Sequence, residues 1–324
     1  MPSPSKRERT LAYIAVLVYA SVIGLSFMYT KVALAYVSPL DTLAFRFAFS
    51  FAAIVVLVAT GVFKLSLKGK PWPRLLLLAL FYPLGFFTLQ AFGLQHASSA
   101  EGGIIFATTP ILTSFLASLF LKESTSLRQK LSILLSVSGV VMIFAMQGTG
   151  IEVSSLSGIL LLFLSCLASA GYAVLSRYLL RTFTPSEVTI SMMSIGFVAF
   201  WLASLWSHAA DGTLNRLFAP LAHAEFVWSM VYLGILASIV SAFSSIYALS
   251  KLEASKISVF TNLSTVISIA AGAFWLGETL TVYHFAGTVL IVAGVIGTNM
   301  AGKSKARAKG QESNVGIQVK RSQG

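Results

Sequence analysis

The stretch TTPILTSFLASLFLKESTSLRQKLSILLSVSGVVMIF, residues Thr108–Phe144, is matched by a second stretch later in the same chain. That second stretch is LSTVISIAAGAFWLGETLTVYHFAGTVLIVAGVIGTN, residues Leu263–Asn299. At an offset of 155 residues Glu123 aligns with Glu278. In both stretches an apolar run ends in a leucine and a glutamate, and a second apolar run with a late glycine follows. Such self-similarity indicates an internal duplication, which decides the fold.

The duplication extends toward the beginning of each half. Lys31 and Pro39 align with Arg177 and Pro185 at an offset of 146. The link near residues 207–225 is long enough to hold the nine residues by which the two offsets differ. The sequence therefore predicts two repeats over residues 11–147 and 156–301, preceded by a basic segment, 1–10, and followed by a basic, disordered tail, 302–324.

The composition requires that lipid surround most of the chain. Hydrophobic residues make up 56% of the 324 residues and charged residues only 10%, whereas a soluble domain carries about 25% charged residues. A helix needs about 20 apolar residues to cross the bilayer. The chain offers ten such spans, near 11–30, 40–62, 74–94, 101–121, 130–147, 156–176, 187–207, 226–249, 256–276 and 282–301. The apolar runs lack the alternation of a membrane strand, so an all-α polytopic protein is predicted.

Basic residues sort by side when the amino terminus is placed in the cytoplasm. Twenty of the 23 Lys and Arg residues then lie on the cytoplasmic side, two (Lys31 and Arg216) lie outside, and Arg46 lies within the second span. The net charge of +12 thus indicates topology, and its scattering over short links disfavours nucleic-acid binding. The protein is predicted to lie in the inner membrane, with both termini in the cytoplasm. Since each half has five spans, the halves must insert in opposite directions, as a 5+5 inverted repeat.

The same residues carry a resemblance to a known family. L-x-E after an apolar helix, the segment LQHASSAEGGIIFATTP (Leu94–Pro110) and Arg46 in the second span together resemble the EamA repeat of the drug/metabolite transporter superfamily. The resemblance covers about residues 11–301. The second repeat has Thr265 where the first has Pro110, so a helix break is expected in the fourth span more than in the ninth.

An inverted repeat is typical of secondary transporters, because two equivalent halves can exchange conformations around a site at mid-membrane. The resemblance implies export of a small metabolite, such as an amino acid or a related compound, without a cofactor. A flippase for a lipid-linked headgroup and a non-transporting scaffold are the alternatives. An enzyme is disfavoured, because no metal-spaced His/Cys group and no nucleotide-binding or nucleophile motif occurs in the sequence.

Charged residues at span ends are candidate gate residues. Glu123 and Glu278 end the fourth and ninth spans on opposite sides, either as gates that change partner or as caps of the following helices. Glu101 and Lys256 begin the same two spans. None of the eleven acidic residues lies in the middle of a span, which favours facilitated movement or exchange over a carboxylate proton relay.

Polar side chains deep in the spans are candidates for the cavity. The family resemblance places spans 1, 3, 4, 6, 8 and 9 around it. Arg46 either faces the cavity or extends along its helix toward the interface. The other candidates, which could instead form hydrogen bonds between helices, are Tyr19, Gln90, Thr108, Thr109, Tyr172, Tyr247 and Asn262.

Helix breakers and small residues predict where the helices bend and pack. Proline and glycine can loosen a helix where rocking needs a hinge; the hinge candidates are Pro83, Gly85, Gly102, Gly103 and Pro110. Two pairs of small residues at a spacing of four allow close helix packing, within the chain or across a homodimer through spans 5 and 10. These pairs are Ser132/Ser136 and Ala293/Gly297.

Overall fold

The structure is a computed structural model, and the residues it describes form helices and their links without a β-strand. It describes residues 6–63, 65–120, 153–180, 182–244 and 254–294, together with 127, 131–132, 134–135, 138–139, 142 and 296–297. The helices are α1 (Lys6–Leu34), α2 (Pro39–Ala59), α3 (Pro73–Ala79), α4 (Phe86–His96), α5 (Ser99–Phe106), α6 (Thr109–Phe120), α7 (Val153–Leu179), α8 (Pro185–Ala210), α9 (Ala224–Val231), α10 (Ala254–Trp275) and α11 (Val282–Gly294).

Six helical stretches in the described residues are long and apolar enough to cross a bilayer. They are Thr10–Leu34, Pro39–Ala59, Pro73–His96, Leu156–Ser176, Pro185–Ala210 and Ala224–Ser244. They correspond to the predicted spans 1, 2, 3, 6, 7 and 8, and the chain is accordingly a multi-pass membrane protein. Shorter apolar helices, Leu263–Trp275 and Val282–Gly294, lie in predicted spans 9 and 10. Most of span 5 lies outside the described residues.

The predicted fourth span is two helices. α5 ends at Phe106 and α6 begins at Thr109, so the chain turns at Ala107 and Thr108. Pro110 lies in the first turn of α6, where its missing N–H has no helical partner to lose. In span 9, α10 continues past Thr265 as one helix from Ala254 to Trp275. The structure thus has a break in the fourth span and a continuous helix in the ninth.

Two spans contain π-helical turns, and the first of these has a kink. Residues Leu80–Gly85 join α3 to α4, and within them Tyr82 has an extended backbone (φ −153°, ψ 119°) just before Pro83. Residues Tyr232–Val240 continue α9 toward Ser244. The predicted hinge residues Pro83 and Gly85 therefore lie at a true irregularity of the helix.

The halves of the chain pack closely on one another. α1 lies along α10, α4 along α7 and α2 along α8, so each of these contacts joins the first half to the second. Glycines permit the approach: a Cβ on Gly93 in α4 would meet the carbonyl oxygen of Gly158 in α7 at 2.9 Å. Within the same chain, a Cβ on Gly297 would lie 2.5 Å from the hydroxyl of Ser132. Gly297 and Ser132 thus approach each other within one chain. A homodimer through spans 5 and 10 stays a prediction.

Candidate substrate cavity

A cavity of about 390 Å³ lies between the two halves. This volume falls in the lower part of the range of roughly 300–1,000 Å³ for small-molecule sites. α1, α2, α4, α5, α7, α8 and the π-helical turns contribute to its wall. The lining residues that carry the argument below are Tyr19, Ser26, Arg46, Tyr82, Phe87, Gln90, Tyr172, Ser238 and Ser241.

Arg46 is the cation of the cavity wall. It follows the first residue of α2 by seven positions, about 10 Å along the axis, and only 4% of its surface is exposed. Its guanidinium carbon lies 4.2 Å from the centre of the Phe87 ring. Its Nε has no hydrogen-bond partner in the described part of the chain. The structure therefore supports the interpretation in which Arg46 faces the cavity.

An aromatic wall continues from Phe87. The ring of Tyr82 lies 4.9 Å from Phe87, 5.5 Å from Phe86 and 4.8 Å from Tyr172, measured between ring centres. Because the extended backbone at Tyr82 interrupts the helix, this side chain leaves the regular spacing of α3 and α4. Sequence reasoning missed Tyr82 and Phe87, although the aromatic-rich FYPLGFF run around Pro83 was a usable signal.

Three serines supply hydrogen-bond acceptors to the wall. Ser26 donates to the carbonyl of Ile23 at 2.7 Å, and Ser241 donates to that of Ala237 at 2.7 Å. Ser238 likewise donates to a carbonyl of its own helix. A hydroxyl that donates its single proton keeps its lone pairs as acceptors.

The structure brings together four of the predicted cavity residues, namely Tyr19, Arg46, Gln90 and Tyr172. Thr108 lies at the turn between α5 and α6 and Thr109 begins α6; neither lines the cavity, and the Thr108 hydroxyl donates to the carbonyl of Ile105 at 2.7 Å. Tyr247 and Glu123, together with the side chains of Lys256 and Asn262, lie outside the described residues.

Glu278 joins the two halves at one end of the bundle, here named the Glu278 end. Its carboxylate accepts hydrogen bonds from the backbone N–H of Ser99 at 2.7 Å and of Ala100 at 3.0 Å, and from the Ser99 hydroxyl at 3.0 Å. These donors form the first turn of α5, where the helix dipole favours an anion. Glu278 therefore caps a helix of the other half, and not the helix that follows it at Thr281.

Two further polar groups complete this end. Glu101 closes a capping box with Ser98 at the start of α5, and its Oε1 lies 3.9 Å from Nε2 of His284 in α11. The Lys31 ammonium donates to the carbonyl oxygens of Leu94 and Ala97 at 2.7 and 2.6 Å, which satisfies the last turn of α4. Charges predicted to lie at a span end thus link helices of different spans.

Further polar contacts join the two halves at the periphery of the Glu278 end. Asp41 at the start of α2 accepts a hydrogen bond from Ser204 at 2.5 Å, and its Oδ1 lies 3.3 Å from Nε2 of His208. The Tyr36 hydroxyl donates to Glu225 at 2.5 Å, and this hydrogen bond raises the pKa of the Tyr36 phenol. Both contacts connect the first half to the second.

A tight seam between α5 and α10 lies beneath Glu278. The hydroxyls of Ser268 and Thr265 donate to the carbonyl oxygens of Ser99 and Gly103 at 2.8 and 3.0 Å. A Cβ on Gly103 would overlap the Ser268 side chain. Gly102 and Gly103, predicted as hinge residues, are therefore positions of close helix contact. None of the residues in these seam contacts lines the cavity.

The opposite end of the bundle, here named the Pro185 end, is where the cavity extends outward. Leu180, Pro185 and Thr189, at the end of α7 and the start of α8, line it. A cleft of about 250 Å³ adjoins it and shares Pro185 and Thr189 with it. An ion pair at this end joins the Lys70 ammonium to Glu187 at 2.6 Å.

The chain is similar in sequence to transporters over nearly its whole length. The profile of the EamA-like transporter family matches residues 10–145 and again 156–300. An uncharacterized transporter of Bacillus subtilis, YcxC, is 44% identical over 305 residues, which cover 94% of this chain and 98% of that protein. A probable amino-acid metabolite efflux pump of Salmonella typhimurium is 24% identical over 296 residues, 90% of this chain and 94% of the pump. One solved crystal structure shares the fold with a TM-score of 0.58 at 19% identity, covering 91% of this chain and 96% of that one.

Proposed function

Because the chain belongs to the EamA-like transporter family, we propose that it exports a small metabolite across the cytoplasmic membrane by alternating access of two inverted halves. The observation that carries this proposal is the asymmetric cavity. Its lining reaches Leu180, Pro185 and Thr189 at the Pro185 end and includes none of the residues that join the halves at the Glu278 end. With the Pro185 end in the cytoplasm, as the charge distribution predicts, the conformation is inward-facing.

The mechanism follows from what holds the Glu278 end together. In the inward-facing state Glu278 binds the first turn of α5, and Ser268 and Thr265 bind carbonyl oxygens of the same helix. Opening toward the outside requires that these contacts between the halves break together. Closure of the Pro185 end around Pro185 and Thr189 would compensate for their loss, so that the two states have similar free energies.

Two features support the inverted repeat as the basis of this exchange. The family profile matches the chain twice, at residues 10–145 and 156–300. The packing is also reciprocal: α1 lies on α10, while α7 lies on α5 and α6. These are spans 1 on 9 and 6 on 4, the pairs that a twofold relation between the halves would exchange.

The proposed substrate is an amino acid or a related metabolite. Of the relatives compared, the Salmonella pump carries a name that specifies such a compound. The cavity volume of about 390 Å³ suits a compound of this size. Purified protein in liposomes loaded with unlabelled amino acids should take up the labelled compound by counterflow. Absence of counterflow for every amino acid and amino-acid derivative in the panel would contradict the proposal.

A flippase for a lipid-linked headgroup is a second candidate, because the cleft beside the cavity has an apolar wall. Phe63, Ile239 and Phe243 line it, and it shares Pro185 with the cavity. A lipid tail could lie in such a cleft while its headgroup occupies the cavity. Substituting Phe63 and Phe243 by Ala should reduce movement of a labelled lipid in vesicles if the protein is a flippase. It should leave metabolite counterflow nearly unchanged if the protein is a metabolite exporter.

A further inference from the structure

The side chain of Arg46 combines deep burial with incomplete pairing. It is 4% exposed, lines the cavity, and its Nε has no hydrogen-bond partner in the described residues. A buried cation is normally paired with an acid or bound by several acceptors, because its desolvation is expensive. Arg46 instead has the face of Phe87 at 4.2 Å.

No aspartate or glutamate lines the cavity among the described residues. The nearest acid in sequence, Asp41, is bound by Ser204 and lies beside His208 at the end of the bundle. Glu101 and Glu278 are engaged at the same end. These three described acids are therefore engaged away from Arg46, and an anionic group of a bound compound would supply the pairing that the described lining does not provide.

We infer that Arg46 is the subsite for the carboxylate of the transported compound and that the aromatic wall receives that compound's apolar body. The inference rests on the proposed transport function and specifies its substrate class. The Phe87 ring lies 4.2 Å from the guanidinium carbon and takes none of its N–H groups as a hydrogen-bond acceptor would, so these donors are available for a bidentate bond to a carboxylate. An aromatic face also stabilises a buried cation electrostatically without a counter-charge, and Arg46 lines the cavity.

The rest of the wall fits the remainder of such a compound. Tyr82, Phe86 and Tyr172 form an aromatic surface that continues from Phe87. Ser26 and Ser241 donate to their own backbone and keep lone pairs that could accept from an amino group. A small carboxylic acid with an apolar side chain, with or without an α-amino group, matches this arrangement. A purely cationic compound lacks an anionic partner among the described lining residues.

The test compares matched probes on purified protein in detergent. The probes are phenylalanine, 3-phenylpropionate and the primary amides of both, and binding is measured from the ligand-dependent rise in the unfolding temperature. In the wild type the acids should bind about tenfold or more tightly than their amides, because a charge-assisted bidentate bond is lost in the amide. Arg46→Gln should abolish the difference, and Arg46→Lys should retain part of it.

Arg74→Gln is the matched control, because Arg74 is an exposed cation at the start of α3 outside the cavity lining. This variant should keep the wild-type preference for acids. Equal binding of acids and amides by the wild type, or an unchanged preference in Arg46→Gln, would overturn the inference. If Arg46→Gln does not fold, the inference is tested by the preference of the wild type for acids over amides and by the size of that preference in Arg46→Lys. Selective binding without counterflow would overturn the transport proposal alone, whereas counterflow that ignores the carboxylate would overturn only the role of Arg46.

Discussion

At the scale of single residues, Glu278 bonds directly from the second half of the chain to the first. One carboxylate receives three hydrogen bonds from Ser99 and Ala100 at the beginning of α5. Hydrogen bonds to a charged group contribute about 1.5–3 kcal/mol each. A group of this kind can set the balance between two conformations whose free energies are otherwise similar.

We expect Glu278→Gln to open the Glu278 end. An amide accepts fewer hydrogen bonds than a carboxylate and interacts weakly with the helix dipole, so the closed state should lose about 1.5–3 kcal/mol. Such a loss shifts the equilibrium about tenfold or more toward the open state. The measurement is labelling of Ser26→Cys in the cavity by an impermeant maleimide added from that side. Cys166→Ala provides the background, since Cys166 is buried in the core.

Asp211→Asn is the control for this labelling, because Asp211 is an exposed acid at the same end. It should leave the labelling of Ser26→Cys at the level found with Glu278 intact. If both substitutions raised labelling equally, a general effect of surface charge would explain the result, and the specific role of Glu278 would be wrong.

At the scale of elements, α5 and α10 pack closely beneath Glu278. Gly103 leaves just enough room for Ser268, whose hydroxyl reaches the carbonyl of Ser99 at 2.8 Å. α5 is only eight residues long and is followed by the turn at Ala107. A short helix between a cap and a break can move as a unit when the contact with α10 is released.

Gly103→Ala should destabilise this contact, since the added methyl group would overlap the Ser268 side chain. Overpacking of this kind costs about 1–3 kcal/mol, and thermal unfolding in detergent should report it. Adding Ser268→Gly should restore part of the loss by making room for the methyl group. A double variant no more stable than the sum of its single substitutions would show that the two positions are not coupled.

The element scale also shows how far the sequence determines the arrangement. The six long spans follow from apolar length, and the break in the fourth span follows from its residues near Pro110. The partner of Glu278 could not be predicted, because a helix-end carboxylate can cap its own following helix or another one. Tyr82 faces the cavity through a local irregularity of the backbone, which helical periodicity does not describe. Thr108 lies outside the cavity lining, at the turn after α5, where its hydroxyl donates to the carbonyl of Ile105, so its role in the cavity stays a prediction.

At the scale of the whole molecule, the charge distribution leads to a prediction of orientation. Twenty of the 23 basic residues lie on one side of the predicted ten-span topology. A reporter that is active only in the cytoplasm should therefore function when fused to either terminus. A cysteine at Thr189, at the Pro185 end, should react with an impermeant maleimide in inside-out vesicles and much less in intact cells. The reverse pattern would contradict the inward-facing assignment.

The absence of an acid from the described cavity lining predicts how transport depends on pH. A carrier without a titrating carboxylate in its central site has no obvious means of coupling a proton to each cycle. Counterflow in proteoliposomes should therefore proceed without a pH gradient and change little when one is imposed. Uptake that depends strictly on the imposed gradient would contradict this prediction and would require a proton site elsewhere in the chain.

The two ends of the bundle differ in how many described contacts join the halves, and this difference affects how the transport rate would depend on solute concentration. Several described hydrogen bonds join the halves at the Glu278 end, whereas an ion pair between Lys70 and Glu187 joins them at the Pro185 end. A carrier whose resting conformation opens toward the cytosol binds more of its solute as the cytosolic concentration rises. Its export rate then rises and falls with the cytosolic concentration of the solute, without a separate regulatory protein that senses the solute.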